Sequence, residues 1–119
     1  MCELGKMRNK MKFISQTNGI DELTNIVTQS NELLPPSDIK RAENFISLGI
    51  AYPHIGNINK SSESFEKAIT LYEEVNDLYG VATVFLQLMS MYGIRGDWAK
   101  MFDARSRGLV NLLIISKKQ

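Results

Sequence analysis

The chain has 119 residues, 44% of them hydrophobic and 23% charged, with a net charge of +1. That length suits a single domain with one core, and a near-neutral chain has no bulk electrostatic preference for nucleic acid or a membrane surface. Cys2 is the single cysteine, which excludes an intramolecular disulfide and fits a reducing compartment. No apolar run is long enough to span a bilayer. The basic start (Lys6, Arg8, Lys10 and Lys12) is not followed by a signal-peptide apolar core. A cytoplasmic location is therefore expected.

Gly and Pro pairs divide the chain into six segments of helical length. Apolar residues recur at three and four rather than two, which predicts an all-α chain. The first segment, from about Glu3 to Thr17, carries the stripe Leu4, Met7, Met11 and Ile14. The second, from Asp21 to Leu34, turns Leu23, Ile26, Val27 and Leu33 or Leu34 inward. It stops at Pro35-Pro36, because a residue before proline leaves helical dihedrals. The third starts at Ser37, a good N-cap, and carries Ile39, Ala42, Phe45, Ile46, Leu48, Gly49 and Tyr52. Pro53 lacks a backbone donor and its ring crowds the Gly49 carbonyl, so a kink or an early stop is expected there. The fourth, from near Asn59, carries Phe65, Ala68, Ile69, Leu71, Tyr72 and Val75. Asp77 caps the fifth, with Val81, Val84, Phe85, Leu88, Met89 and Tyr92. Asp97 caps the sixth, which runs through Trp98, Met101, Phe102, Leu109 and Leu112 to about Ser116. Short loops make neighbouring helices antiparallel.

One pattern stands out within these segments. Phe45, Leu48-Gly49, Tyr52, Gly56, Ser61, Phe65 and Ala68 place large residues on one helix opposite small ones on the next. Forty residues later, Phe85, Leu88, Tyr92 and Gly96 repeat the first half of that order. A repeated helical hairpin predicts a stacked solenoid. The pattern resembles the tetratricopeptide repeat, in which an aromatic, Leu-Gly, Tyr and Ala-x3-Phe recur. Ser61 stands at the usual Ala, and Met101, Arg105 and Gly108 depart from Ser61, Phe65 and Ala68 in the second copy. A degenerate copy precedes them. The resemblance implies a right-handed α-solenoid of about three antiparallel helix pairs: 1–36, 37–76 and 77–119. The spacing is longer than the usual 34 or so residues, similar to a long-repeat branch found in bacterial regulators, pheromone receptors and polarity adaptors.

The resemblance also implies a concave groove lined by Glu43, Ile46, Ser47, Ile50 and His54, then by Thr83, Leu86, Gln87 and Ser90, with Asn9 and Phe13 from the weak first copy. Apolar anchors mixed with small polar groups suit an extended peptide or an amphipathic helix. The positions that hold a C-terminal carboxylate in chaperone-binding members are Asn9, Phe13, Ser47, Thr83 and Gln87 here. None is a cation, which argues against such a clamp.

Other residues carry weaker chemistry. His54 is the lone histidine and has no ligand partners at zinc spacing; a partly exposed helix end is expected. Cys2 lacks a positioned base. Trp98, after Gly96, is expected to pack between repeats. Glu63, Glu66, Glu73 and Glu74 read as a solvated face. No phosphate-binding loop is present. The last segment is apolar nearly all round, which for a terminal helix invites burial against something else. Leu109, Leu112, Leu113 and Ile115 are therefore expected to form a homodimer interface. The expected function is a non-catalytic protein–protein interaction scaffold without cofactor or metal. Self-association, or a sensory fragment of a larger regulatory protein, is the alternative.

Overall fold

The structure, a computed structural model, describes residues 19–118. The first expected segment, with Cys2, Asn9 and Phe13, lies outside the described residues. Helix α1 covers 19–33, α2 is Ile39–Ala51, α3 is Ile58–Glu74, α4 is Leu78–Ile94 and α5 is Trp98–Lys118. A 3-10 turn, Tyr52–Ile55, follows α2. The described residues form helices joined by short turns, with no strand among them. No helix among them is long and apolar enough to cross a membrane.

Local chemistry explains the helix ends. The Asp38, Asn57 and Asp77 side chains accept the backbone N–H groups of Lys40, Lys60 and Gly80. Asp97 accepts that of Lys100 at 3.3 Å. Each bond satisfies a donor that the first helical turn leaves without a partner. Asp38 rather than Ser37 caps α2, because extended backbone at Asp38 aims its carboxylate at the turn. The three later turns share one device. Gly56, Asn76 and Gly96 adopt positive φ, and the next residue is the cap of the following helix. Such a residue reverses the chain at once, and Gly and Asn tolerate it.

Pro53 ends α2 as expected. The α-helix ends at Ala51, with the Tyr52 N–H still donating to the Leu48 carbonyl, and the chain then tightens into the 3-10 turn.

The main core joins α2 through α5. Phe65, Ile69 and Tyr72 of α3 meet Val81, Val84, Phe85 and Leu88 of α4, with Ala42 and Ala104 filling the narrow places. Gly49 lets α2 approach α3: a Cβ there would lie 2.6 Å from the Phe65 ring. A smaller cluster joins Ile20 and Val27 of α1 to Leu48 of α2 and Tyr52 of the 3-10 turn. Helix α2 packs along α3, α4 along α5, and α3 lies against α4.

Two sequence expectations fail on helix phase, and a third on a partner. In α1 the inward line is Ile20, Leu23 and Val27, so Ile26 is 60% exposed; of Leu33 and Leu34, Leu34 is half-buried and Leu33 is uncovered. In α5 the inward line is Met101, Ala104 and Gly108. Trp98 and Phe102 lie off that line and are 58% and 54% exposed, so Trp98 is not buried between helices among the described residues. Glu66 is not merely solvated. Arg107 of α5 grips it with two bonds of 2.8 and 3.2 Å, while its guanidinium lies 4.5 Å from the Phe85 ring centre.

Candidate functional site: a hollow between two helices

Ile50 and His54 follow one another by four residues across the end of α2, and Gln87, Ser90 and Ile94 recur by three and four along α4. These five line one hollow of about 300 Å³, floored by Gly49, Phe65 and Met91. The kink at Pro53 carries His54 to its edge. Arg95 closes one end by donating to the Pro53 carbonyl at 2.7 Å. Two apolar walls stay uncovered, since Ile50 is 49% and Ile94 84% exposed. The amide of Gln87, the hydroxyl of Ser90 and the imidazole of His54 ring them. This arrangement can hold an apolar anchor with polar groups at its rim.

The structure therefore brings together four of the expected groove residues: Ile50, His54, Gln87 and Ser90. Sequence reasoning missed Ile94 and Arg95, although the four-residue step from Ser90 to Ile94 could have found the first. The other expected residues fall elsewhere. Ile46 packs against the main core. Glu43, Ser47 and Thr83 are exposed, and the Ser47 and Thr83 hydroxyls donate to their own helix at Glu43 and Tyr79. Leu86 lines a different hollow, between α4 and α5, with Leu109 and Leu112. Of the four residues expected at a dimer interface, Leu109, Leu112 and Leu113 are exposed, while Ile115 is buried in its own chain.

Another hollow, about 450 Å³, lies among α1, α2 and α3 and is lined by Glu32, Arg41, Lys60, Glu63 and Lys67. Most of these charges are engaged within the chain, although the buried Arg41 Nε has no hydrogen-bond partner among the described residues. Arg41 donates to the Leu34 carbonyl at 2.7 Å, and Lys67 pairs with Glu63 at 3.6 Å. Lys60 sits over the Tyr52 ring and Lys67 over that of Phe45. The Tyr52 hydroxyl bonds Thr24 at 3.0 Å across the helix junction. This chemistry fastens α1 to α2 and α3. Among the described residues, no group of three His, Cys, Asp or Glu side chains is placed to hold a metal ion.

No protein-family model matches the chain, and neither the curated proteins nor the solved structures contain a match to it.

Proposed function

We propose that this chain is a non-catalytic interaction scaffold of the tetratricopeptide kind, whose stacked helix pairs hold a peptide or a helix against α2 and α4. The observation that carries the reading is the hollow walled by Ile50 and Ile94, apolar surface that the described chain leaves open beside the polar groups of Gln87, Ser90 and His54. An apolar anchor would supply affinity there, and the amide and hydroxyl would set register. The forty-residue return of Phe45, Leu48 and Tyr52 as Phe85, Leu88 and Tyr92 supports the stacked arrangement. The proposed setting is the cytoplasm.

The test is affinity capture from lysate with the wild type and with Ile50→Glu, both shown to be folded by circular dichroism. A protein captured by the wild type and lost by the variant is the expected result. Equal recovery by both would reject the hollow as the binding site.

Self-association through α5 is the second reading, favoured by the exposure of Leu113. Under it, sedimentation shows a dimer that Leu113→Glu dissociates.

A further inference from the structure

We propose that the outer face of α4 and α5 docks a single amphipathic α-helix of another polypeptide, with a carboxylate on that helix paired to Arg105. This surface is separate from the hollow at Ile50.

The chain contains its own template for such a contact. Along α3, Ile58, Ser62, Phe65, Ile69 and Tyr72 form a stripe with alternating steps of four and three. Helix α4 covers it. Phe65, Ile69 and Tyr72 are buried, Ile58 packs on the same core, and Tyr92 bonds Ser62 at 2.8 Å. A Cβ at Gly80 would run into the Tyr72 ring. Forty residues on, the same steps along α5 give Trp98, Phe102, Arg105, Leu109 and Leu112. Here nothing among the described residues takes the place of α4. Trp98, Phe102, Leu109 and Leu112 are 58%, 54%, 48% and 41% exposed. Beside them, Leu86 and Met89 of α4 stand where Ile46 and Gly49 stand on α2. Between the two rows is a hollow of about 170 Å³, floored by Ala104 and Gly108.

The internal counterpart defines the shape of the occupant. A helix lies on the α3 stripe, so a helix with apolar residues at three- and four-residue steps fits the α5 stripe. Arg105 defines its charge. It replaces the apolar Phe65 at the centre of the stripe and lines the hollow, and its guanidinium makes no hydrogen bond or ion pair among the described residues. Covering it without a carboxylate would strand a charge. The same argument disfavours a second copy as occupant. The stripe carries no acid, so pairing this face with itself would bury two arginines and offer neither a partner.

The probe is a displayed library of amphipathic helices, selected against the full chain. Selected helices are expected to carry apolar residues at three- and four-residue steps and an Asp or Glu at one fixed register. Binding should fall by roughly tenfold or more with Arg105→Glu and with Leu112→Glu, and be unaffected by Ile50→Glu. A helix whose acid is changed to Lys should recover binding to Arg105→Glu. All three substituted side chains are exposed, and matched melting temperatures establish that the variants fold. Failure to enrich any helix overturns the proposal, as does binding indifferent to Arg105→Glu. Helices lost only with Ile50→Glu would assign the binding to the other hollow and also overturn it. A dimer in sedimentation equilibrium that Leu109→Glu dissociates would make a second copy the occupant. Loss of partner capture with Ile50→Glu bears on the first hollow alone, so the two readings stand or fall separately.

Discussion

The Ser61 hydroxyl donates to the carbonyl of Gly49, across from α3 to α2. In a regular helix that carbonyl would accept the N–H of residue 53, but residue 53 is proline and has none. Ser61 is fully buried, and its hydroxyl supplies the missing donor. The stop in one helix and the polar residue at the packed centre of the next are thus one device.

Ser61→Ala should cost about 1–3 kcal/mol, because it leaves a buried carbonyl without a partner. In a Pro53→Ala background the new N–H can reach the same oxygen, and the cost should shrink. Urea denaturation of the four proteins gives the coupling, expected at about 0.5–2 kcal/mol. An equal cost in both backgrounds would mean that the two residues act independently.

Phe65→Ala should destabilise by about 3–5 kcal/mol through lost burial and the cavity left behind. Gly49→Ala should cost about 1–3 kcal/mol, since its Cβ would collide with the Phe65 ring. Combining Gly49→Ala with Phe65→Leu should cost less than the two singles together. Strict additivity in melting temperature would place the strain elsewhere.

The Glu66–Arg107 pair joins helices forty-one positions apart in sequence. Its hydrogen bond with Glu66 is the main reason that the Arg107 guanidinium holds its proton more tightly than usual. Both side chains remain about two-fifths exposed, so Glu66→Gln should cost only about 0.2–1 kcal/mol. The difference should nearly vanish at about 1 M salt. Arg107→Lys should retain part of the attraction but lose the paired bonds and the stacking on Phe85. A large, salt-independent loss would contradict this account.

Burial, helped by the nearby charges of Glu43 and Asp77, raises the Tyr72 hydroxyl above the usual tyrosine range. The folded state disfavours the ionised form, whereas the unfolded chain ionises near pH 10. The stability linked to this group is therefore complete below about pH 10 and lost as pH rises through the higher folded value. Tyr72→Phe should flatten the alkaline fall in urea midpoint between about pH 9 and 11 relative to wild type. Parallel falls in the two proteins would show that Tyr72 is not responsible.

Much of this architecture is legible in the residues alone. Pro53 marks the end of α2, Asp77 and Asp97 mark helix starts, and Gly56 and Gly96 mark the reversals before Asn57 and Asp97. Phe65 opposite Gly49 is legible as a knob meeting a hole. The candidate site was legible in part. Ile50, His54, Gln87 and Ser90 do converge, while Leu86, from the same reading, turns to α5 because α4 is packed on two sides. Helix α5 was the hardest to read, since Trp98, Phe102, Leu109 and Leu113 are as apolar as the residues that face inward. With apolar residues nearly all round, composition offers no phase.

The sequence by itself determined where helices begin, end and reverse, because caps, proline and left-handed turn residues act over one to four positions. It also determined the forty-residue repeat of large and small residues. Only the tertiary structure decided which face of α5 is covered and which carbonyl Ser61 reaches. It alone also decided that Arg95 closes the hollow by bonding a carbonyl forty-two positions away. Those outcomes depend on how separate helices settle against one another, where a shift of one residue turns a side chain by about 100° and moves it between core and solvent.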